Sequence, residues 1–411
     1  MRIIRKRCLG LDLHKKQITC HLRVHRGSEK EPERIEIQFG TMPGDLLLLR
    51  EWVVEHQVTD VVMESTSVYW MHLYELLEPV TAPAIVNAAH VKKVPGRKTD
   101  VGDAQWLSEL HAHGLLRVSF VPPKEIRELR SITRYRTKLV AVRTSARNRT
   151  IKLIEIAGIK LSSVVCDSFG KTGRAILDAL AEGDVEAATV VKAAKGSLRK
   201  KTVELHAALQ TPLSENQRQL LKMHLRAYDA IDAQIAETEI KMAERAKPYA
   251  AAIEKLDAVP GINPLAAITV LAETGLDMSV YRNAHHLTSL AGLAPGHSVS
   301  ADKRRRVAMP KGNRYLKRIC VQIAWAASRK NGSFLRSRFN RLSYRIGRNK
   351  AIVATARHIL IIVYLMLAGD HSYKDLGSDF YDNGNKERSI KRYVQRLEKL
   401  GFTVEIKPTK T

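Results

Sequence analysis

The feature that most constrains this fold lies between residues 8 and 86, where the apolar pattern switches repeatedly between strand and helix periods. Residues 8–24 form two strands joined by a tight turn. Ile18, Cys20, Leu22 and Val24 alternate with polar residues, as on a half-buried strand. The segment RIEIQFG continues with Ile35, Ile37 and Phe39 on one face. Then PGDLLLLREWVVEHQ has the pattern of a helix, DVVMES a strand, SVYWMHLYELLEPV a helix and APAIVNA a strand. Three strands followed by alternating helix and strand predict an α/β domain with a mixed sheet. It ends near Pro122-Pro123, giving a first domain over 1–123.

From Lys124 to about Leu161 the pattern becomes helical, with Leu129, Ile132, Tyr135, Leu139, Val142, Ala146 and Leu153 three or four residues apart. No acid occurs between Ser131 and Lys152, where Arg134, Arg136, Lys138, Arg143, Arg147 and Arg149 cover the other faces. A second long helix is expected from Ser214 to Lys247, with Leu221, Leu225, Tyr228, Ile231, Ile235 and Met242 on one stripe. Such stripes pack against each other, or against a second subunit, as a coiled coil over 124–252. A smaller, mostly helical domain follows over 253–369. The extension 370–411 ends in RSIKRYVQRLEKLGFTVEIKP, the pattern of a helix and a final strand.

At 411 residues and 45% hydrophobic composition the chain has material for two or three cores. Lys and Arg total 68 against 42 acids, a net charge of +26, which points to a polyanionic partner, usually nucleic acid. Cys8, Cys20, Cys166 and Cys320 have no paired spacing, arguing for a reducing compartment and against a zinc ribbon or a disulfide scaffold. The start, MRIIRKRCLGLDLHKK, reaches an Asp too early for a signal peptide. The apolar run from Ala351 to Gly369 contains Arg357 and His358, which favours a buried helix over a membrane span.

Asp12 sits between Leu11 and Leu13 in a strand, where an ionised carboxylate needs a cation or strong donors. Glu64 ends the strand DVVMES, and an acid at a sheet's carboxyl edge opens toward ligand. Asp100 and Asp103 in GRKTDVGDAQWL would be neighbours on a helix, although helix capping is the more ordinary reason for such a pair. Clustered carboxylates hold Mg²⁺, and two such ions about 4 Å apart can clamp the attacking and leaving oxygens of a phosphodiester. The basic strip HVKKVPGRK precedes Asp100 and would hold substrate backbone. A strand acid, a strand-end acid and a late helical pair, in that order, resemble the RuvC and RNase H superfamily. In that fold the first and fourth strands are neighbours.

Further on, LDAVPGINPLAAITVLAETG has a Val-Pro-Gly-Ile turn before a small-residue helix and resembles a helix-hairpin-helix, whose backbone N–H groups grip phosphates; an ordinary helix joint fits equally. Eight of the sixteen residues from Lys303 to Arg318 are Lys or Arg, among them Lys303, Arg304, Arg305, Arg306, Lys311 and Arg314, with no acid. Ser298 and Ser300 lie in a loop just ahead, where guanidiniums would stabilise charge developing on a phosphoryl group under attack. In SFLRSRFNRLSYRIGRNK, five arginines (Arg336, Arg338, Arg341, Arg345 and Arg348) suit phosphates. Phe334, Phe339 and Tyr344 either stack on bases or pack a helix core.

The motifs GLDLHKK, MESTSVYW, KTDVGDAQWL and GLAPGHSVSADKRRRVAMPKGNRYL, in this order and spacing, resemble one family. These are the insertion-sequence transposases that join an N-terminal DEDD RuvC-like domain to a C-terminal serine domain, described as bridge-RNA-guided recombinases. The resemblance implies that Asp12, Glu64, Asp100 and Asp103 bind Mg²⁺ (Mn²⁺ is the other candidate) and that Ser300 attacks the scissile phosphate as part of a composite site. It also implies donor and target DNA as substrates, a structured non-coding guide RNA, a homo-oligomer and a prokaryotic cytoplasmic, nucleoid-associated location with no membrane. One departure is Ala301, where the family has Gly after the serine, so Ser298 stays open as the nucleophile. A metal-dependent nuclease or junction resolvase, and a non-catalytic nucleic-acid scaffold, are the other readings.

Overall fold

A computed structural model describes residues 3–26, 31–65, 68–91, 102–183, 196–295, 299–300, 303–304, 309, 311–369, 371–383 and 386–406. The chain divides into two units, Met1–Lys124 and Glu125–Thr411.

The first unit is built on a six-stranded mixed sheet: β1 (Arg7–Leu13), β2 (Gln17–Val24), β3 (Glu33–Gly40), β4 (Asp60–Glu64), β5 (Ala82–Val86) and β6 (Val118–Ser119). The order is β3-β2-β1-β4-β5-β6. β1 pairs antiparallel with β2 and parallel with β4, and β4 pairs parallel with β5. β6, absent from the sequence reading, adds an antiparallel edge to β5. The odd-numbered residues of β1, Leu9, Leu11 and Leu13, join Val61, Met63 and Ile85 beneath two helices, α1 (Pro43–Glu55) and α2 (Tyr69–Leu77). Ile35, Ile37 and Phe39 pack on the margin of that core. The opposite face carries α3 (Asp103–Ala112), whose Leu107 and Leu110 cover Val62 and Val86.

Contact between α3 and the sheet is close because Gly10 has no side chain. A methyl group there would collide with the carbonyl oxygen of Ala104 and stand 2.7 Å from the Ser108 nitrogen. Ser108 Oγ also hydrogen-bonds His21 Nδ1 at 2.9 Å across the sheet. At its far end, the Ala112 carbonyl accepts from the Ile4 and Arg5 nitrogens. The helix therefore runs antiparallel to β1, with its first residue at the carboxyl edge of the sheet.

In the second unit two long helices, α4 (Lys124–Ile156) and α5 (Glu215–Ala246), run antiparallel. Arg245–Glu128, Arg136–Glu239 and Arg143–Asp232 ion pairs tie them together in the same chain. Ser214 caps α5 through the Gln217 nitrogen, and Gln217 returns the bond to the Ser214 nitrogen. The expected stripe on α4 is only partly right. Leu129, Leu139 and Ala146 are buried, but Tyr135 and Val142 are each 51% exposed. The buried line instead takes in Ile126, Thr133, Thr150 and Ile154, three to four residues apart or multiples of that. One end of the pair closes on a small helical cluster around Ile159, Ile176, Leu180 and Leu205.

At the other end, Leu129 and Met242 pack on Ile268 and Ala272 of α6 (Pro264–Thr274). A helical core continues through α7 (Ala284–Leu290), α8 (Arg314–Ala327), α9 (Phe334–Ile346) and α10 (Arg348–Ala368). Helix α10 is long and apolar enough to cross a bilayer, yet Ile352, Ala356, Ile359, Leu360, Val363 and Met366 form a buried stripe against the other helices. Of the tail, Phe380 and Tyr381 pack on Phe334, and the Asp375 carboxylate accepts from the Phe334 nitrogen at 2.9 Å. Its helix is present (Lys386–Glu398), but residues 402–406 form no strand.

Two outcomes follow for stability. Gly10→Ala forces α3 off the sheet and costs about 1–3 kcal/mol in urea unfolding; Gly44→Ala, where nothing lies within 4 Å, stays near zero. His111 of α3 is 2% exposed, and burial, then Arg5, push its pKa down to about 4 from 6.5. Because the folded value is the lower one, its stabilising share is complete above pH 6.5 and drains as the pH falls toward 4. About 2 kcal/mol is lost by about pH 5, and His111→Gln flattens that slope in unfolding measured across pH.

Candidate active site

Parallel pairing sets Leu11 opposite Met63, so Asp12, one residue before the end of β1, and Glu64, the last of β4, come side by side at the strand ends. Side chains two apart on a strand share a face. Asp12 thus lies on the face of Gly10, and Glu64 on that of Val62, both beneath α3. Asp103, the first residue of α3, arrives at the same edge because Ala104 rests on Gly10. Three of the four expected carboxylates are therefore brought to one edge of the sheet by backbone topology. The fourth, Asp100, lies outside the described residues.

Asp12 is half-buried, and its Oδ2 is 3.1 Å from Nε2 of the more exposed His14. His14 was not singled out from sequence; its place two residues past Asp12, on the same face, was the available signal. Glu64, Asp103 and Asp12 supply only hard oxygen donors, the chemistry that divalent alkaline-earth ions take. Among the described residues, no three His, Cys, Asp or Glu side chains converge closely enough to coordinate an ion. The donor type and shared edge fit such a metal; a closed coordination sphere is not formed by the described residues alone.

In the second unit the basic segment begins with a hairpin, where the sequence suggested a loop. Val299–Ser300 pairs with Lys303–Arg304, Ser300 opposite Lys303. Ser298, Arg305 and Arg306 lie outside the described residues, and only the backbone of Ser300, Lys303 and Arg304 is described. Lys311 and Arg314 are exposed at the other end of the segment, with the Arg314 guanidinium 5.0 Å from the centre of the Tyr315 ring.

The two ends of this segment are pinched together. The Asn313 nitrogen donates to the Leu290 carbonyl at 2.7 Å. A methyl group on Gly312 would collide with the Gly292 nitrogen and stand 2.6 Å from the Leu290 oxygen. Asn313 caps α8, its Oδ1 accepting from the Tyr315 and Leu316 nitrogens at 3.0 and 3.1 Å. Its Nδ2 donates to Glu273 Oε2 at 2.6 Å.

Glu273 is the residue that sequence reasoning missed. Its side chain is 0% exposed, yet it carries two close guanidiniums. Arg134 donates to both oxygens, at 2.7 and 2.8 Å, and Arg130 Nε stands 3.8 Å away while donating to the Ala272 carbonyl at 2.7 Å. A fork-on-carboxylate pair with a third donor satisfies a buried anion, whereas removing one partner strands the rest. The signal available in the sequence was a lone acid in the small-residue helix LAAITVLAET; its partners are 40 to 143 residues away and gave no local hint.

Replacing Glu273 with Ala leaves the half-buried Arg134 and Arg130 without their anion. It is expected to cost about 3 kcal/mol of stability in chemical denaturation, the low end for a broken buried pair because solvent reaches both guanidiniums. A loss below about 1 kcal/mol would show that the cluster does not hold this region together.

Two family models match the chain. One, described as a transposase and built on the DEDD domain of the IS110 type, covers residues 9–158. The other, the transposase IS116/IS110/IS902 family, covers residues 253–340. A Pseudomonas aeruginosa protein named "Probable family 20 transposase" is 28% identical over 321 residues, spanning 76% of this chain and 85% of that protein. The first match contains the carboxylate edge and the second the serine hairpin and its clamp, in the order found in one polypeptide. This chain belongs to the IS110-type transposase family.

Proposed function

We propose that this transposase is a site-specific DNA recombinase that cuts and rejoins donor and target DNA with the carboxylates Asp12, Glu64, Asp100 and Asp103 and the nucleophile Ser300. The observation that carries this reading is the gathering of Asp12, Glu64 and Asp103 at one edge by the β1–β4 pairing and by α3. When bound there, Mg²⁺ or Mn²⁺ would act as a Lewis acid on phosphoryl oxygens. The carboxylates would hold the ion, and His14 would orient Asp12.

Ser300 contributes the covalent chemistry. Its hydroxyl oxygen bonds to phosphorus and gives up its proton, while the departing strand's oxygen takes one. The phosphoester count is conserved, so a second strand can later displace the serine without an energy source. Lys303, Arg304, Arg305, Arg306, Lys311 and Arg314 supply positive charge to the phosphate backbone, and the turn before α6 adds backbone N–H groups. The pinch at Gly292 and Gly312, fastened by Glu273, closes the segment that carries the hairpin. A structured guide RNA would choose the DNA sites, with the acid-free stretch 131–152 contributing to its binding, and a homo-oligomer would carry out the exchange. Four functional segments, over 1–123, 124–252, 253–369 and 370–411, serve this scheme.

The serine separates recombination from simple hydrolysis, since a nuclease using water has no need of it. Ser300→Ala is expected to abolish strand exchange and the covalent protein–DNA adduct trapped by denaturing gel, with the modified residue located by peptide mapping. An adduct on Ser298 would move the nucleophile; exchange that survives in Ser300→Ala would refute Ser300. Asp12→Asn is expected to lower exchange by at least 100-fold, about 2.7 kcal/mol of barrier, with little change in unfolding.

A further inference from the structure

Between α8 and the α9–α10 junction lies a cavity of about 320 Å³ lined by Trp325, Arg329, Arg336, Ser343 and Arg348, with buried Phe339 behind the indole. The Trp325 and Phe339 rings meet edge to face with centroids 5.8 Å apart, which fixes the plane of the indole. Arg348, an exposed residue, lays its guanidinium over the Trp325 ring at 5.7 Å, the outer limit of a cation–π contact. Three guanidiniums share this concavity, and none is paired with a carboxylate among the described residues. The chain around them offers no relief: from Lys303 to Gly369 there are seventeen Lys and Arg and no acid. The Ser343 hydroxyl is buried at the cavity with no hydrogen-bond partner.

This is an incomplete constellation that asks for an anion with a flat apolar partner attached. We propose that the cavity takes one unpaired nucleotide of a nucleic-acid strand, with its base stacked on Trp325 and its phosphate held by Arg329, Arg336 and Arg348. The volume stands at the low end for small-ligand sites, about 300–1,000 Å³, so it admits one nucleotide and excludes a duplex. An aromatic platform beside guanidiniums is the device that captures splayed bases in single strands, where stacking tolerates any sequence. A free nucleoside triphosphate with its magnesium fits less well, since no carboxylate lines the cavity to hold a metal or a ribose. Of the three aromatics in the 333–350 segment, Phe334 and Phe339 are core and Tyr344 is 98% exposed, so the platform is Trp325, which lies outside that segment. The proposal rests on the reading of this chain as a nucleic-acid-processing enzyme.

The test uses the full-length protein and three fluorescein-labelled probes: a twelve-nucleotide RNA, the DNA strand of the same sequence, and a blunt DNA duplex. Affinities are read by anisotropy over a range of salt. Trp325→Ala is expected to weaken single-strand binding about tenfold and to leave duplex binding within about twofold. Trp325→Phe, which keeps the packing on Phe339 and a stacking face, retains most of the affinity. Arg348→Gln lowers the salt slope by about one counterion. A loss confined to the RNA or to the DNA strand identifies which of them the cavity holds, and an equal loss shows that it accepts both. Wild-type binding of single strands that Trp325→Ala and Arg348→Gln leave unchanged would overturn the cavity while sparing the wider reading. Equal weakening of strands and duplex would overturn it as well. Failure of the wild type to bind any probe would overturn the nucleic-acid reading itself.

Discussion

The contact on which the carboxylate edge depends is between a glycine and a helix backbone. With hydrogen at position 10, α3 settles directly onto β1, held by the Ala104 and Ser108 backbone, by His21 and by the chain at Ile4 and Arg5. Its direction then follows, and Asp103 is delivered to the edge where Asp12 and Glu64 lie at their strand ends. A bulkier residue would lift the helix and with it one of the acids. Carboxylates drawn to one place repel one another in the absence of a cation, so that arrangement is sustained by packing that lies away from the charges.

The second unit solves a comparable problem with a charge cluster. The segment bearing Ser300 is rich in Lys and Arg, and hydrophobic burial is a poor means of fixing such a sequence. Its two ends are instead joined where Gly292 and Gly312 touch, and Asn313 links that joint to Glu273. Because Arg134 and Arg130 on α4 grip the same carboxylate, that long helix is tied through a buried anion to the joint at Gly292 and Gly312. Were Ser300 the nucleophile proposed above, closing the stems of its segment would help to hold it against a flexible substrate.

Much of the first unit was legible because its elements obey simple periods. β1 to β5 and the first two helices fall where alternation and helical spacing put them. Register, and hence the adjacency of Asp12 and Glu64, depends on which strands pair, and the superfamily resemblance supplied that expectation. β6 escaped notice because two residues carry no period. On α4, Tyr135 and Val142 fit an apolar stripe by type yet face outward, since arginines paired to α5 and Glu273 rotate the buried line. Glu273 itself was invisible for the general reason that long-range ion pairs leave no trace in local sequence. The two readings of Phe334, Phe339 and Tyr344 separate by burial, which a linear pattern cannot report.

The central claim is that Asp12, Glu64 and Asp103 form a divalent-metal site, and manganese binding by the full-length protein tests it most directly. Titration of Mn²⁺ followed by the loss of the free-ion electron paramagnetic resonance signal gives an affinity for the wild type and for Asp12→Asn, Glu64→Gln and Asp103→Asn. The account predicts tight binding in the wild type and a loss of at least about tenfold in each variant, all three of which stay folded. Equal manganese affinity in the wild type and the three variants would contradict it.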